Sequence, residues 1–231
     1  TMELGGHSPV MIFKDADIEA AVKHCAAGKF RNAGQVCISP TRFFIEEPVY
    51  DEFIKSFKSH VEAINVGDGL DSKSTMGPLV ADRRLEVMED FISDAISSGG
   101  EVISGGGRGQ SPGSFFEPTL IRDVPDTAKI MIEEPFGPVA PSASFSSIDE
   151  IIERANSLPF GLASYAFTSN PRTSQILKSE IESGMLAINS MHIHSVETPF
   201  GGLKHSGYGY EGSIEGLEAF LVTKYSSEIY A

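Results

Sequence analysis

Apolar residues recur at helical spacing through the first third of the chain. Ile18, Ala21, Val22, Cys25, Ala26 and Phe30 form one face of an amphipathic helix. Asp15 or Asp17 stands where it can cap the start, and Gly34 where it can stop the helix. A second stripe runs through Tyr50, Phe53, Ile54, Phe57, Val61 and Ile64. A third runs through Leu85, Met88, Ile92, Ala95 and Ile96 and ends at Gly99-Gly100. Ser147-Ile148-Asp149-Glu150 reads as a capping box, and Asn170-Pro171 opens a helix that Gly184 ends. Short apolar or alternating runs at 10–13, 41–45, 102–103, 115–121, 128–132, 139–145, 163–168 and 185–189 read as strands, the last as a central one. Residues 201–216 hold six glycines and read as loop, followed by a short helix and a terminal strand at 220–225. Strands alternating with helices predict an α/β fold with a mostly parallel sheet.

Composition narrows the picture. The 231 residues suffice for one sizeable core, and 41% apolar with 22% charged residues is ordinary for a globular chain. A net charge of −14 disfavours nucleic acid and anionic membrane as partners. No apolar run reaches the roughly 18 residues of a spanning helix, and no signal peptide is visible. Two cysteines in unlike settings do not make a disulfide framework, which points to a reducing, cytoplasmic location. The glycine cluster at 105–107, 109 and 113 lacks the Gly-x-Gly-x-x-Gly spacing and opens no helix, so it reads as a flexible loop rather than a phosphate cradle.

Candidate chemistry centres on Cys37. Cys25 lies on the apolar helix face and reads as core. Cys37 lies in a loop just past that helix, where a thiol is held firmly yet can be reached. The segment Phe30-Arg31-Asn32-Ala33-Gly34-Gln35-Val36-Cys37 resembles the cysteine motif of the aldehyde dehydrogenase superfamily. Met2-Glu3-Leu4-Gly5-Gly6-His7-Ser8-Pro9 resembles that family's glutamate motif. Two further blocks match in order: Glu133-Glu134-Pro135-Phe136-Gly137-Pro138-Val139, and Pro199-Phe200-Gly201-Gly202-Leu203-Lys204-His205-Ser206-Gly207.

The resemblance implies a three-layer open sheet with helices on both faces. It implies an aldehyde substrate, an NAD or NADP cofactor bound mainly by a domain outside this chain, and a homo-oligomer. It assigns the nucleophile to Cys37 and the general base to Glu3. A thiolate adds readily to a carbonyl and leaves well from a thioester; a carboxylate of raised pKa can activate the hydrolytic water. Glu3 also favours hydrolysis to the acid over acyl transfer to coenzyme A. Gly5-Gly6 would let the backbone approach closely. Glu134 and Phe136 match the residues that hold the nicotinamide ribose and ring. Arg31 and Ser195 match the arginine and serine that bind the substrate carboxylate in succinate-semialdehyde dehydrogenases, and Phe200 is assigned to the substrate as well.

Departures from the family pattern are His7 in place of lysine and Tyr210 in place of arginine. His192 and His194 share a strand face, as a metal pair would, but no third ligand stands nearby and no metal is expected. Since Thr1 is followed at once by motif residues, the chain is expected to be a piece cut at a domain boundary. Residues 1–212 would be the catalytic domain and 213–231 a segment serving assembly. Such a half would not oxidise aldehydes efficiently alone. Two rival readings use the same residues: a cofactor-independent thiol esterase, and a non-catalytic assembly domain whose last strand adds to a partner's sheet.

Overall fold

A computed structural model describes residues 1–230. The chain opens with a two-residue strand, β1 (Met2–Glu3), then β2 (Ser8–Ile12), α1 (Ile18–Phe30) and β3 (Pro40–Glu46). There follow α2 (Tyr50–Glu62), α3 (Arg83–Ser97), β4 (Glu101–Ser104), β5 (Thr119–Arg122), α4 (Lys129–Ile132), β6 (Val139–Phe145) and α5 (Ile148–Asn156). The last third holds β7 (Phe160–Gly161), β8 (Ala163–Phe167), α6 (Pro171–Glu180), β9 (Met185–Ile188), β10 (Leu203–Lys204), β11 (Gly207–Tyr208) and α7 (Ser213–Glu218).

Seven strands form one sheet in the order β4-β5-β6-β3-β2-β8-β9. Only β4 runs antiparallel to its neighbour; the other five pairings are parallel. Strands β2, β3 and β8 are buried at every position, as strands covered on both faces must be. Alternation along β3 identifies the two covers. Phe43 meets Phe57 of α2 with ring centroids 5.2 Å apart, and Phe57 also packs on Phe30 of α1 and on Phe53. Phe44 points the other way, under the guanidinium of Arg154 from α5. Buried Arg42 ties that second layer down: its guanidinium donates to the carbonyls of His7, Arg154 and Ala155 at 3.1, 3.0 and 2.9 Å. The three-layer α/β architecture is therefore the one the resemblance implied.

Four elements differ from the sequence reading. Helix α1 starts as expected, with Asp17 accepting from the Ala20 N–H at 3.0 Å. It ends at Phe30 rather than at Gly34, because Asn32 and Ala33 already adopt left-handed backbone with φ of 51° and 54°. Residues 129–132 are a helix, not a strand; the Lys129 N–H is held by Asp94 of α3, a contact that periodicity in so short an apolar run does not reveal. Strand β9 is an edge, not central, and its side chains alternate between buried and half-buried. Residues 220–225 form no strand: they pair with nothing among the described residues, and Phe220, Val222 and Tyr225 are exposed.

The Phe30–Phe43–Phe53–Phe57 cluster joins α1, α2 and β3, and so anchors the helix that leads to Cys37. Phe57→Ala is expected to cost about 3–5 kcal/mol, measured as a lowered urea midpoint. A loss below about 1 kcal/mol would show that the cluster collapses around the gap and is not the anchor.

Candidate active site

Three of the four motif segments converge at the amino ends of three adjacent strands, and the fourth, 199–207, leads into β10 and β11. Gly5-Gly6 leads into β2, Cys37 into β3, and Glu134–Gly137 into β6. The turn before Cys37 is tightly wound. Asn32, Ala33 and Gly34 are left-handed in succession, and left-handed backbone costs a non-glycine residue about 1–2 kcal/mol. Asn32 and Gln35 hold that turn through each other's backbone: the Asn32 amide donates to the Gln35 carbonyl, and the Gln35 amide to the Asn32 carbonyl, both at 3.0 Å. Cys37 follows in a turn closed by the Ser39 N–H on the Val36 carbonyl at 2.9 Å. Its side chain is half-buried, whereas Cys25 is fully buried and burial raises its thiol far above the ordinary range.

Glycines let these segments touch backbone to backbone. A Cβ on Gly6 would lie 2.8 Å from the Cys37 carbonyl oxygen, and one on Gly5 would lie 2.5 Å from the Glu134 Oε2. At Gly34 it would stand 2.1 Å from the Gly137 carbonyl oxygen. Glu3 comes in on β1, which pairs antiparallel with β11 so that Glu3 faces Gly207. There a Cβ on residue 207 would fall 1.9 Å from the Met2 carbonyl oxygen.

The electrostatics follow from burial. Both Glu3 carboxylate oxygens are shielded from solvent and have no hydrogen-bond partner among the described residues. Burial raises its pKa, the Glu211 carboxylate adds to this, and the nearby Gly202 N–H pulls back without reaching hydrogen-bonding geometry. Burial also raises the Cys37 thiol. The Glu3 and Glu134 carboxylates push the same way, while the backbone N–H groups of Ile38 and of Cys37 itself favour the thiolate. Glu134 Oε1 accepts from the Gly6 N–H at 3.1 Å, and Oε2 takes no bond from any described residue. Phe136, beside it, has a φ of 44° and is partly exposed.

Three groups here went unread in the sequence, two of them buried. Lys29 is fully buried, its Nζ has no partner among the described residues, and desolvation lowers its pKa to about 7 despite the pull of Glu134. A signal existed: Lys29 stands four residues after Cys25, on the apolar stripe of α1. Arg84 of α3 donates from Nη2 to the Pro135 carbonyl at 2.5 Å and so clamps the Glu134–Phe136 turn. His7, noted only as a departure, is buried. Its Nε2 contacts the Ile130 carbonyl at 3.1 Å, so that nitrogen carries the proton, and Nδ1 accepts from the Thr41 hydroxyl at 2.7 Å. Burial, Arg42 and Lys29 keep the ring neutral.

The substrate candidates lie to one side. Arg31 lines a cavity of about 240 Å³ together with Val36 and Ile38, the two neighbours of Cys37. His192, His194 and Tyr165 line it too. Ser195 does not, and its hydroxyl donates to Glu197 at 2.8 Å. Phe200 meets the His194 ring edge-on at 5.9 Å. No group of three metal-ligating side chains occurs among the described residues.

The aldehyde dehydrogenase family profile matches residues 1–226. The chain belongs to the aldehyde dehydrogenase family. It is 40% identical to an Escherichia coli succinate-semialdehyde dehydrogenase [NADP(+)] and 43% identical to a 4-(hydroxymethyl)benzenesulfonate dehydrogenase of Comamonas testosteroni, each over 97% of this chain and 47% of the relative. The crystal structure of succinate-semialdehyde dehydrogenase from Burkholderia pseudomallei superposes with a TM-score of 0.95 at 39% identity, over 96% of this chain and 46% of that one. The chain thus spans about half the length of the curated relatives it matches. No described helix is long and apolar enough to cross a membrane.

Lys29 yields a pH prediction. Its folded pKa of about 7 lies below the ordinary 10.5, so between those values the unfolded chain binds more protons than the folded one. Stability should therefore rise with pH across that window. Lys29→Met should flatten the rise and add about 1–3 kcal/mol near pH 7. Urea unfolding of both proteins at pH 7 and pH 9.5 measures this. An unchanged slope would mean that the amine is not desolvated.

Proposed function

We propose that this chain is the catalytic half, residues 1–212 with an assembly segment at 213–231, of an NAD- or NADP-dependent aldehyde dehydrogenase that yields a carboxylic acid. One observation carries the reading. A half-buried thiol with two backbone N–H donors lies within electrostatic range of a shielded carboxylate of raised pKa that no protein group engages. In this reading Cys37 attacks the aldehyde carbon and forms a C–S bond. A nicotinamide dinucleotide, when bound, would supply the two-electron oxidation by taking the hydride from the adduct's carbon, which leaves a thioester on Cys37. Glu3 takes a proton from water as the water's oxygen bonds to the acyl carbon, and the C–S bond breaks to return the thiolate.

Glu134 suits the cofactor's sugar hydroxyls, since Oε2 is free to accept while Oε1 is anchored by Gly6. Phe136 is the proposed contact for the nicotinamide ring, its side chain partly exposed beside Glu134. The acidic tail of the substrate is assigned to Arg31, with Ser195 and Phe200 at the same loop. The relatives' named compounds carry a carboxylate or a sulfonate, in keeping with a guanidinium beside the thiol. Succinate semialdehyde or a related acidic semialdehyde is the proposed substrate. Self-association is proposed as well, since Phe220, Val222, Tyr225, Ile229 and Tyr230 expose apolar surface along one short stretch.

Ester hydrolysis tests the acyl half of this cycle without any cofactor. The chain should release nitrophenolate from 4-nitrophenyl acetate, and Cys37→Ala should fall to background. Glu3→Gln should retain a burst of one equivalent but slow the later turnover by about a hundredfold, as loss of a general base does. Undiminished hydrolysis in Cys37→Ala would remove the thiol from the mechanism.

A further inference from the structure

The two histidines of the loop after β9 take part in neither the core nor the acyl chemistry, yet both face the cavity beside Cys37. Their rings stack at 6.1 Å with an interplanar angle of 24°, and Phe200 holds the second edge-on. Arg31 lines the same cavity. No salt bridge pairs the Arg31 guanidinium with a carboxylate among the described residues. Tyr165, on the same wall, donates its hydroxyl to the Ile38 carbonyl at 2.7 Å and feels the charges of both Arg31 and Cys37. The cavity therefore adjoins the thiol. Its polar wall consists mainly of donors: five N–H groups on a guanidinium and at least one on each imidazole, whatever the protonation state. Ser195 lies outside this cavity lining, and its hydroxyl donates to Glu197 at 2.8 Å.

We propose that His192 and His194, together with Arg31, are the specificity-determining residues that bind the remote anionic group of the aldehyde, a carboxylate or a sulfonate. The inference rests on the proposed function only in taking the cavity to be the aldehyde's. The guanidinium supplies the charge. The stacked imidazoles supply further N–H donors from a second direction, which suits an anion with several oxygens more than a neutral amide.

Alkylation of Cys37 reads this directly, as the thiolate forms an S–C bond and iodide leaves. 4-Iodobutyrate places a carboxylate at the reach of a four-carbon semialdehyde, and 4-iodobutyramide is its neutral counterpart and internal reference. The anionic reagent should label Cys37 about tenfold faster than the amide, the size of one charge-assisted hydrogen bond. Arg31→Gln should abolish the preference, and His192→Ala/His194→Ala should reduce it at least threefold. Both histidines are exposed, so these variants should fold. Equal rates in the parent chain, or an unchanged preference in the double histidine variant, would overturn the proposal. A second measurement avoids the thiol. In Cys37→Ala, the imidazole C–H resonances of His192 and His194 should shift on titration with butyrate or methanesulfonate but not with butyramide, and the stronger of the two anions identifies the preferred head group. If they shift while the thiol proves inert, the anion site stands and the acyl-transfer reading falls. If they stay still, the anion site falls.

Discussion

The structure depends on backbones meeting where no side chain fits. Gly6 lies against the Cys37 carbonyl, Gly34 against the Gly137 carbonyl, and Gly207 against the Met2 carbonyl. These three contacts fasten the segments bearing Glu3, Cys37 and the Glu134 turn into one unit. Each would put a Cβ under 3 Å from main-chain atoms that cannot rotate away. The left-handed run from Asn32 to Gly34 belongs to the same constraint. It tucks the chain beneath the Glu134 turn before releasing it into β3, and the strain at Ala33 is held by burial on all sides.

Close packing brings acidic groups together, and the charge pattern follows. Glu3, Glu134 and the Cys37 thiol all have pKa values raised by burial. Glu134 is the most compensated of the three, with the Gly6 N–H, Lys29 and Arg84 all favouring its ionised form. Glu3 has no cation beside it, and Glu211 works against its ionisation. Burial thus raises both carboxylates, and they differ in what opposes it: an N–H and two cations at Glu134, a backbone N–H alone at Glu3. The same logic accounts for neutral His7, which stands between Lys29 and Arg42 and would cost several kcal/mol if it were charged there.

The sequence carried much of this, and its failures have physical causes. Stripes of 3.6 period located α1, α2 and α3, and β6 falls where its apolar run lies. The run at 128–132 failed because four or five apolar residues look alike in a strand and in one buried helical turn. Strand β9 was misplaced because strand order is a property of crossovers, not of local pattern. The stretch 220–225 begins with the apolar run Phe220-Leu221-Val222, but an apolar run supplies no partner edge. At the site, motif residues were legible because their types and spacing are unusual. Arg84 was not, since an arginine near a helix start looks like an ordinary surface residue. Lys29 offered only its place on the apolar stripe of α1, and what makes it notable is burial, which exists only after folding.

The location of the site explains how it manages its anions. Open parallel sheets commonly bind ligands beyond the carboxyl ends of their strands. Here the chemistry gathers at the opposite edge, where β2, β3 and β6 begin. A chain entering a parallel strand presents N–H groups at that edge that no neighbouring strand has yet claimed. Three of them border the anionic groups, Gly6 on Glu134 and Cys37 and Ile38 on the thiol, while the Gly202 N–H near Glu3 comes from the loop before β10. Backbone dipoles held by glycine contacts are fixed in place before any charge forms beside them. At Cys37 they offset part of the burial and carboxylate repulsion that raise the thiol, with few cations nearby. The guanidinium that it does place nearby, Arg31, is left free of carboxylate partners and open to the adjoining cavity.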